Sequence, residues 1–498
     1  MLKNNKLTGK IPLLFKSVLF QNSSWGIISQ ILQTILLSLF FVILARKYST
    51  AEFSKYIIAT VLYQLITAFS AMGLSQWFIR EIAVTTNKKD LVGKFIKVQL
   101  YFGILFYAVN ICCVNLLYED HFIRMLSVLV GINIIFDNII NAIKCLNIAD
   151  FEQKKTFIIL TVEAILKFLI GCVVFIFPMS LITLSVALIV VRFITLNLFI
   201  KVGSSSLINL KTLWKYKISL SDTRYLVLLN WPFIIISGVS IINWRVANIL
   251  ISKMLPIADV ANYEISYKIF SIAQILPVII SSTVFPLLIK LYIEGDIERF
   301  RVFYRKIHLY YLLFGLLSFT FIYSFADFLV PLAFGTKYGI AAAYTKQMFL
   351  TILVFPTAFL QANLLIAMKL EKKDMLFNIV MMLVNISACF VGLHYLKSLS
   401  AVNYSIFFSF LIFHVLQDIL LVRGKIVTVK QALSFYLITG SFVSAFILLN
   451  KYINTNWLFV IYWFTIICLL ISANKLKELA SKIHPNFSKE AIAESELG

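Results

Sequence analysis

Apolar residues run along this chain in blocks of about twenty, separated by short polar stretches rich in Lys and Arg. A helix needs about 20 such residues to cross roughly 30 Å of hydrocarbon. The blocks predict about fourteen membrane spans, over 25–45, 56–78, 98–117, 123–143, 157–177, 181–201, 228–252, 265–288, 308–330, 344–367, 375–395, 402–422, 432–450 and 456–474. A transmembrane barrel would instead alternate apolar and polar residues over strands of roughly ten. The connections are short, the longest being about 202–227. An extramembrane catalytic domain has no room.

Composition agrees. Sixty per cent of the 498 residues are apolar and 14% are charged, against about 45–50% and 25% in a globular domain. A soluble enzyme is excluded, because too little polar sequence remains to cover a core. The net charge of +22 comes from 45 Lys and Arg against 23 Asp and Glu. These bases sit in the short connections, where they encode topology rather than nucleic-acid binding. With the N-terminus in the cytoplasm, 32 of the 45 fall on cytoplasmic segments and nine outside, so both termini are expected inside. No cleavage site follows the first apolar block, so the first span is itself the targeting signal. The six cysteines and five histidines are scattered without metal-ligand or disulfide spacing. No Walker loop, HExxH, CxxC or nucleophile–base pattern occurs. The chain is therefore expected not to be an enzyme, and to need no cofactor or metal. Transport would draw on a proton or sodium gradient or on a partner.

The chain repeats itself. Ala45-Arg46-Lys47-Tyr48-Ser49-Thr50-Ala51-Glu52-Phe53-Ser54-Lys55-Tyr56 corresponds, at an offset of 207, to Ser252-Lys253-Met254-Leu255-Pro256-Ile257-Ala258-Asp259-Val260-Ala261-Asn262-Tyr263. Both stretches follow the first span of a six-span unit. Six is even, so the units run in the same direction, as parallel repeats do in secondary transporters. The expected organisation is a basic N-terminal segment (1–24), an N-lobe of spans 1–6 (25–205), a cytoplasmic linker (206–227), a C-lobe of spans 7–12 (228–424), an added pair of spans (425–474) and a cytoplasmic tail (475–498).

These loops, with Val284-Phe285-Pro286 and Phe334-Gly335-Thr336-Lys337-Tyr338, resemble the multidrug/oligosaccharidyl-lipid/polysaccharide flippase superfamily, and within it the Wzx-type polysaccharide flippases. The resemblance implies an all-α polytopic membrane protein of two parallel six-helix lobes plus two C-terminal helices. It implies translocation of undecaprenyl-diphosphate-linked oligosaccharide units, for O-antigen or capsule, across the bacterial inner membrane by alternating access. It also implies work beside a polysaccharide polymerase and a chain-length regulator. The alternatives are a peptidoglycan lipid-precursor flippase, a multidrug or cation antiporter of the same superfamily, or a membrane O-antigen polymerase. The last normally carries a large external loop, and none is present.

Four cations lie inside spans: Lys167, Arg192, Arg245 and Lys268. A base at mid-bilayer costs roughly 2.5–3.5 kcal/mol on insertion scales and must find water or a partner. An anionic diphosphate headgroup would require such fixed charge, Arg as a bidentate fork and Lys as a point charge. Arg192 has no acid within a turn. Arg245 shares a helical face with Asn230, Ser237 and Asn248. Lys167 follows Glu163 by four residues and can pair with it. Lys268 lies near the outer end of its span, from where it can snorkel. Asn133, Asp137, Asn141 and Lys144 form one helical stripe that must avoid lipid. Asp137 and Glu163 are candidate proton- or cation-coupling carboxylates; Asp327 and Asp418, nearer span ends, rank below them. Pro232, Pro277, Pro286 and Pro356 are candidate bending points.

Overall fold

The structure, a computed structural model, describes residues 18–203, 213, 215–453 and 457–468. The N-terminal segment to residue 17, most of the expected linker and the tail lie outside the described residues. Among the described residues the protein is all-helical, with no strand.

The first lobe comprises α1 (Val18–Lys47), α2 (Thr50–Ser70), α3 (Leu74–Val84), α4 (Lys88–Leu117), α5 (His121–Gly131), α6 (Asn133–Ala149), α7 (Gln153–Ile176) and α8 (Leu181–Leu198). The second comprises α9 (Leu220–Met254), α10 (Ala258–Ile293), α11 (Ile297–Phe334), α12 (Ala341–Met348), α13 (Phe355–Ala367), α14 (Glu371–Leu396) and α15 (Leu399–Arg423). The added pair is α16 (Val429–Leu449) and α17 (Trp457–Cys468). Eleven of these segments are long and apolar enough to cross a membrane. The spans expected at 56–78, 228–252 and 456–474 are α2 with α3, α9, and the shorter α17, which fall outside those eleven.

Local chemistry sets the boundaries. A capping box closes the start of α2: Ser49 accepts from the Glu52 N–H, and Glu52 reaches back to the Ser49 N–H. Met72 and Gly73 both have positive φ (49° and 61°), which separates α2 from α3. Asp120 caps α5. The expected span 344–367 is interrupted: α12 ends at Met348, a 3₁₀ turn follows over Thr351–Leu353, and Pro356 sits in the first turn of α13. Pro356 therefore starts a helix rather than bending one, because its missing N–H is not needed there. Pro277 and Pro286 lie within the continuous α10.

The repeat is visible in the packing. In the first lobe α1 runs along α7 and α4 packs on α6; in the second α9 runs along α14 and α11 packs on α12 and α13. A Cβ on Gly103 of α4 would stand 2.9 Å from the Ile135 Cα, and one on Gly315 of α11 2.7 Å from the Ile352 carbonyl oxygen. Each glycine thus lets the third helix of its unit touch the backbone where the fourth is broken. The lobes meet mainly through α2 against α9 and α10. There the two copies of the repeated loop touch at equivalent positions: the Ala261 N–H donates to Ser54 Oγ at 3.2 Å, across the same offset of 207. The loop after α11 closes over them. Lys337 donates to the Arg46 carbonyl at 3.2 Å and to that of Tyr48, and Arg46 Nε donates to the Ala333 carbonyl at 2.6 Å. Three of the four sequence stretches that carry the family resemblance, all but Val284-Phe285-Pro286, are thus one contact at one end of the bundle.

The added pair rests on the second lobe. Trp463 Nε1 donates to Thr320 Oγ1 of α11 at 2.9 Å, and Tyr462 donates to the Phe442 carbonyl of α16 at 2.9 Å.

Candidate functional site

Beneath the joined loops lies a cavity of about 470 Å³ between the lobes. Its walls come from α1, α2, α5 to α8, α9 and α10, and include Lys167, Arg192, Arg245 and Lys268 together. All four intramembrane cations of the sequence therefore face one chamber. Lys268 extends into it rather than toward the bilayer surface: its ammonium stands 5.8 Å from the Phe41 ring centroid.

Three of the four are answered by acids. Arg192 Nε donates to Asp137 Oδ1 at 2.6 Å and its Nη1 to Glu163 Oε2 at 2.5 Å. Lys167 holds the other Glu163 oxygen at 2.6 Å. Tyr63 of α2 donates to Asp137. Arg192 has no acid near it in sequence; its partners arrive from α6 and α7, because burying a bare guanidinium would be prohibitive. Asp137 and Glu163, the candidate coupling carboxylates, are thus counter-ions to fixed bases.

Arg245 donates to Glu264 Oε1 at 2.8 Å, and Asn248 donates to Glu264 Oε2 at 3.1 Å. Tyr267 stacks against the guanidinium, 4.6 Å from Cζ to ring centroid. Glu264 is the residue that reading the sequence missed. It stands four before Lys268, the same spacing as Glu163 and Lys167, and that pattern could have found it. Lys268 has no carboxylate within 4 Å among the described residues. Four bases against Asp137, Glu163 and Glu264 leave the chamber with one positive charge in excess.

The polar stripe on α6 divides its work. Asn133 lines the cavity, Asp137 binds Arg192, and Asn141 leaves the chamber to donate to Ser75 of α3 at 2.9 Å. Asp327 is exposed and pairs with Lys346 at 2.6 Å. A second cavity of about 420 Å³ shares Tyr63, Gln64, Arg245 and Tyr267 with the first and continues away from the joined loops, past Thr67 and Ser240. Among the described residues no cluster of three or more His, Cys, Asp and Glu could hold a metal ion.

A family described as "Polysaccharide biosynthesis protein" matches residues 43–343, more than half of the chain. No curated protein matches it by sequence. Solved structures share the fold at low identity. The lipid II flippase MurJ, in an inward closed conformation, is 16% identical with a TM-score of 0.69, covering 95% of this chain and 100% of its own. An inward-facing multidrug resistance MATE transporter of the MOP superfamily is 11% identical with a TM-score of 0.65, over 79% of this chain and 94% of its own. A MOP superfamily transporter from Pyrococcus furiosus, whose binding pocket is described as reversed in polarity, is 12% identical with a TM-score of 0.59, over 85% and 99%.

Proposed function

Since the chain belongs to the polysaccharide biosynthesis protein family and has the fold of MOP-type transporters, we propose that it is a flippase for undecaprenyl-diphosphate-linked oligosaccharide units of O-antigen or capsule, moving them from the cytoplasmic to the periplasmic face of the bacterial inner membrane. Family and fold indicate a transporter rather than an enzyme. The observation that carries the reading is the inter-lobe chamber with its excess positive charge at Lys268, beside Arg192, Arg245 and Lys167.

A diphosphate headgroup carries negative charge that only a hydrated, cation-lined chamber can hold at bilayer depth, where Coulomb attraction is weakly screened. Lys268, which has no carboxylate within 4 Å among the described residues, supplies the surplus attraction. The ion-paired Arg192 and Arg245 keep further donors within reach, as a phosphate oxygen can share a guanidinium with a carboxylate. A volume of about 470 Å³ suits the diphosphate and adjoining sugar, and the connected cavity past Thr67 and Ser240 takes the glycan that follows. The joined loops form the periplasmic gate, and rocking of the lobes about the α2–α9–α10 contact would open it.

The test is a strain lacking this gene, complemented with variants matched for protein level in the membrane. Lys268→Glu inverts the surplus charge without stranding a counter-ion and is expected to abolish surface polysaccharide, while Lys268→Arg keeps most of it. Wild-type polymer from Lys268→Glu removes the charged-chamber reading. A peptidoglycan lipid precursor presents the same diphosphate chemistry. If the gene proves essential in a strain that makes no surface polysaccharide, that substrate takes the place of ours.

A further inference from the structure

Away from the chamber, toward the end of the bundle opposite the joined loops, the second lobe holds a different kind of polar cluster. Asp418 of α15 is buried and accepts from Gln361 Nε2 of α13 at 2.7 Å and from the Tyr436 hydroxyl of α16 at 2.7 Å. His414, one turn earlier and fully buried, places Nδ1 3.1 Å from Asp418 Oδ2 and 2.7 Å from the Tyr436 hydroxyl. Its other ring nitrogen, Nε2, has no partner among the described residues. His308 of α11 stands 6.5 Å from His414, ring centroid to ring centroid. With Tyr304 and Asp418 it lines a cavity of about 290 Å³, whose rim carries Arg305 and Lys430. Phe435 of α16 stacks on His414, at 4.6 Å and 15°, and meets His308 edge-on at 5.2 Å.

We propose that His414 is a proton-binding site of the second lobe, reached through the His308 cavity, and that its occupancy sets how firmly α16 is held to that lobe. The cluster can change charge because, among the described residues, no Lys or Arg is fixed to it. With His414 neutral, the Asp418 carboxylate is answered by neutral donors alone, and the cluster is a buried anion. One proton on Nε2 turns His414 into an imidazolium beside that carboxylate and makes the cluster neutral, which a low-dielectric interior favours. The contacts that feel this change belong to α16. Tyr436 shares the Asp418 oxygen that His414 approaches, and Phe435 offers its ring face to the imidazole, a contact that strengthens when the imidazole is a cation. The other groups facing the site are Tyr304 and Arg305 on α11, Gln361 on α13, and Lys430 on α16. Asp374 of α14 lies behind Gln417, which donates to it at 3.3 Å. Arg305 and Lys430, at the cavity rim, oppose proton entry, while Asp418 draws the proton in. The site goes beyond the transport reading, since it binds a proton whatever the cargo.

The full chain in lipid nanodiscs, labelled with ¹⁵N-histidine and ¹³C-tyrosine, tests this by NMR between about pH 5 and 8. His414→Gln assigns the signal. The expected result is a His414 ring that passes from imidazole to imidazolium, a Tyr436 ring carbon that moves in the same transition, and a transition displaced in Asp418→Asn. Tyr436→Phe is expected to leave the His414 transition in place, and it serves as the second variant where Asp418→Asn does not fold. A His414 that keeps one charge state throughout, an unchanged midpoint in Asp418→Asn, or a Tyr436 signal that ignores the transition overturns the proposal. Lys268→Glu, which disables the chamber, should titrate at His414 as the wild type does, so failure of the chamber reading and of this site are separable.

Discussion

The two lobes follow the same path through the bundle but bury different polar chemistry. The first carries a closed ionic network: Arg192 between Asp137 and Glu163, with Lys167 on the remaining oxygen. The second carries Asp418 among Gln361, Tyr436 and His414. Both satisfy a buried carboxylate. The first does so with Arg192, Lys167 and the Tyr63 hydroxyl; the second, beside its own guanidinium pair of Arg245 with Glu264 at the chamber, holds Asp418 with neutral donors and one imidazole. A fixed network gives the chamber a lasting field, whereas a titratable one can report on its surroundings. Resemblance of backbone therefore says little about what each lobe does with charge.

The largest effect that would sharpen this contrast is expected at Arg192. Arg192→Ala leaves buried Asp137 with Tyr63 alone and Glu163 with Lys167 alone, and should cost about 3–5 kcal/mol of unfolding free energy in mixed micelles. The triple variant Arg192→Ala, Asp137→Asn, Glu163→Gln should recover most of that stability without recovering polymer. A single variant as stable as the wild type would show that the network is hydrated and loose. In the second lobe, Gln361→Leu removes a neutral donor from Asp418 and should cost less, about 1–3 kcal/mol. A loss as large as that of Arg192→Ala would erase the distinction. Where the lobes are alike the losses should be alike: Gly103→Ala and Gly315→Ala each push a methyl into backbone at 2.9 and 2.7 Å, and each should cost about 1–3 kcal/mol. Unequal melting temperatures would show that only one break is tightly packed.

The smallest effect separates the lobes again. Asp120 caps α5 and pairs with Lys55 at 2.5 Å, whereas the corresponding α12 begins without a side-chain cap. Burial alone would raise the Asp120 carboxyl, but Lys55 and the N–H groups of Ile123 and Phe122 hold it below the usual range. Its folded value is thus depressed, so its stabilisation is present above the ordinary carboxylate range and is lost as pH falls through that folded value. Asp120→Ala should cost about 1 kcal/mol at neutral pH, and the gap to wild type should close in acid. A gap that persists in acid would assign the effect to packing.

Much of this was legible in the chain. Apolar blocks of membrane length fix where helices can lie, since an unpaired backbone cannot sit in lipid. An offset of 207 between two loops announced the repeat, and the structure brings Ser54 and Ala261 of those loops into contact. The expense of an intramembrane base marked Lys167, Arg192, Arg245 and Lys268, and all four line one chamber. What the chain could not show is which face of one helix meets which face of another. Periodicity gives each helix its stripe, but the partner of Arg192 lies 55 residues away at Asp137 and 29 away at Glu163. Asp418 looked peripheral from its place near a span end, yet four helices converge on its surroundings. The charge each helix carries is written in its own residues. Whether that charge is cancelled, left over or able to change depends on neighbours that only packing supplies, because Coulomb and hydrogen-bond energies fall away within a few ångströms and take no account of distance along the chain.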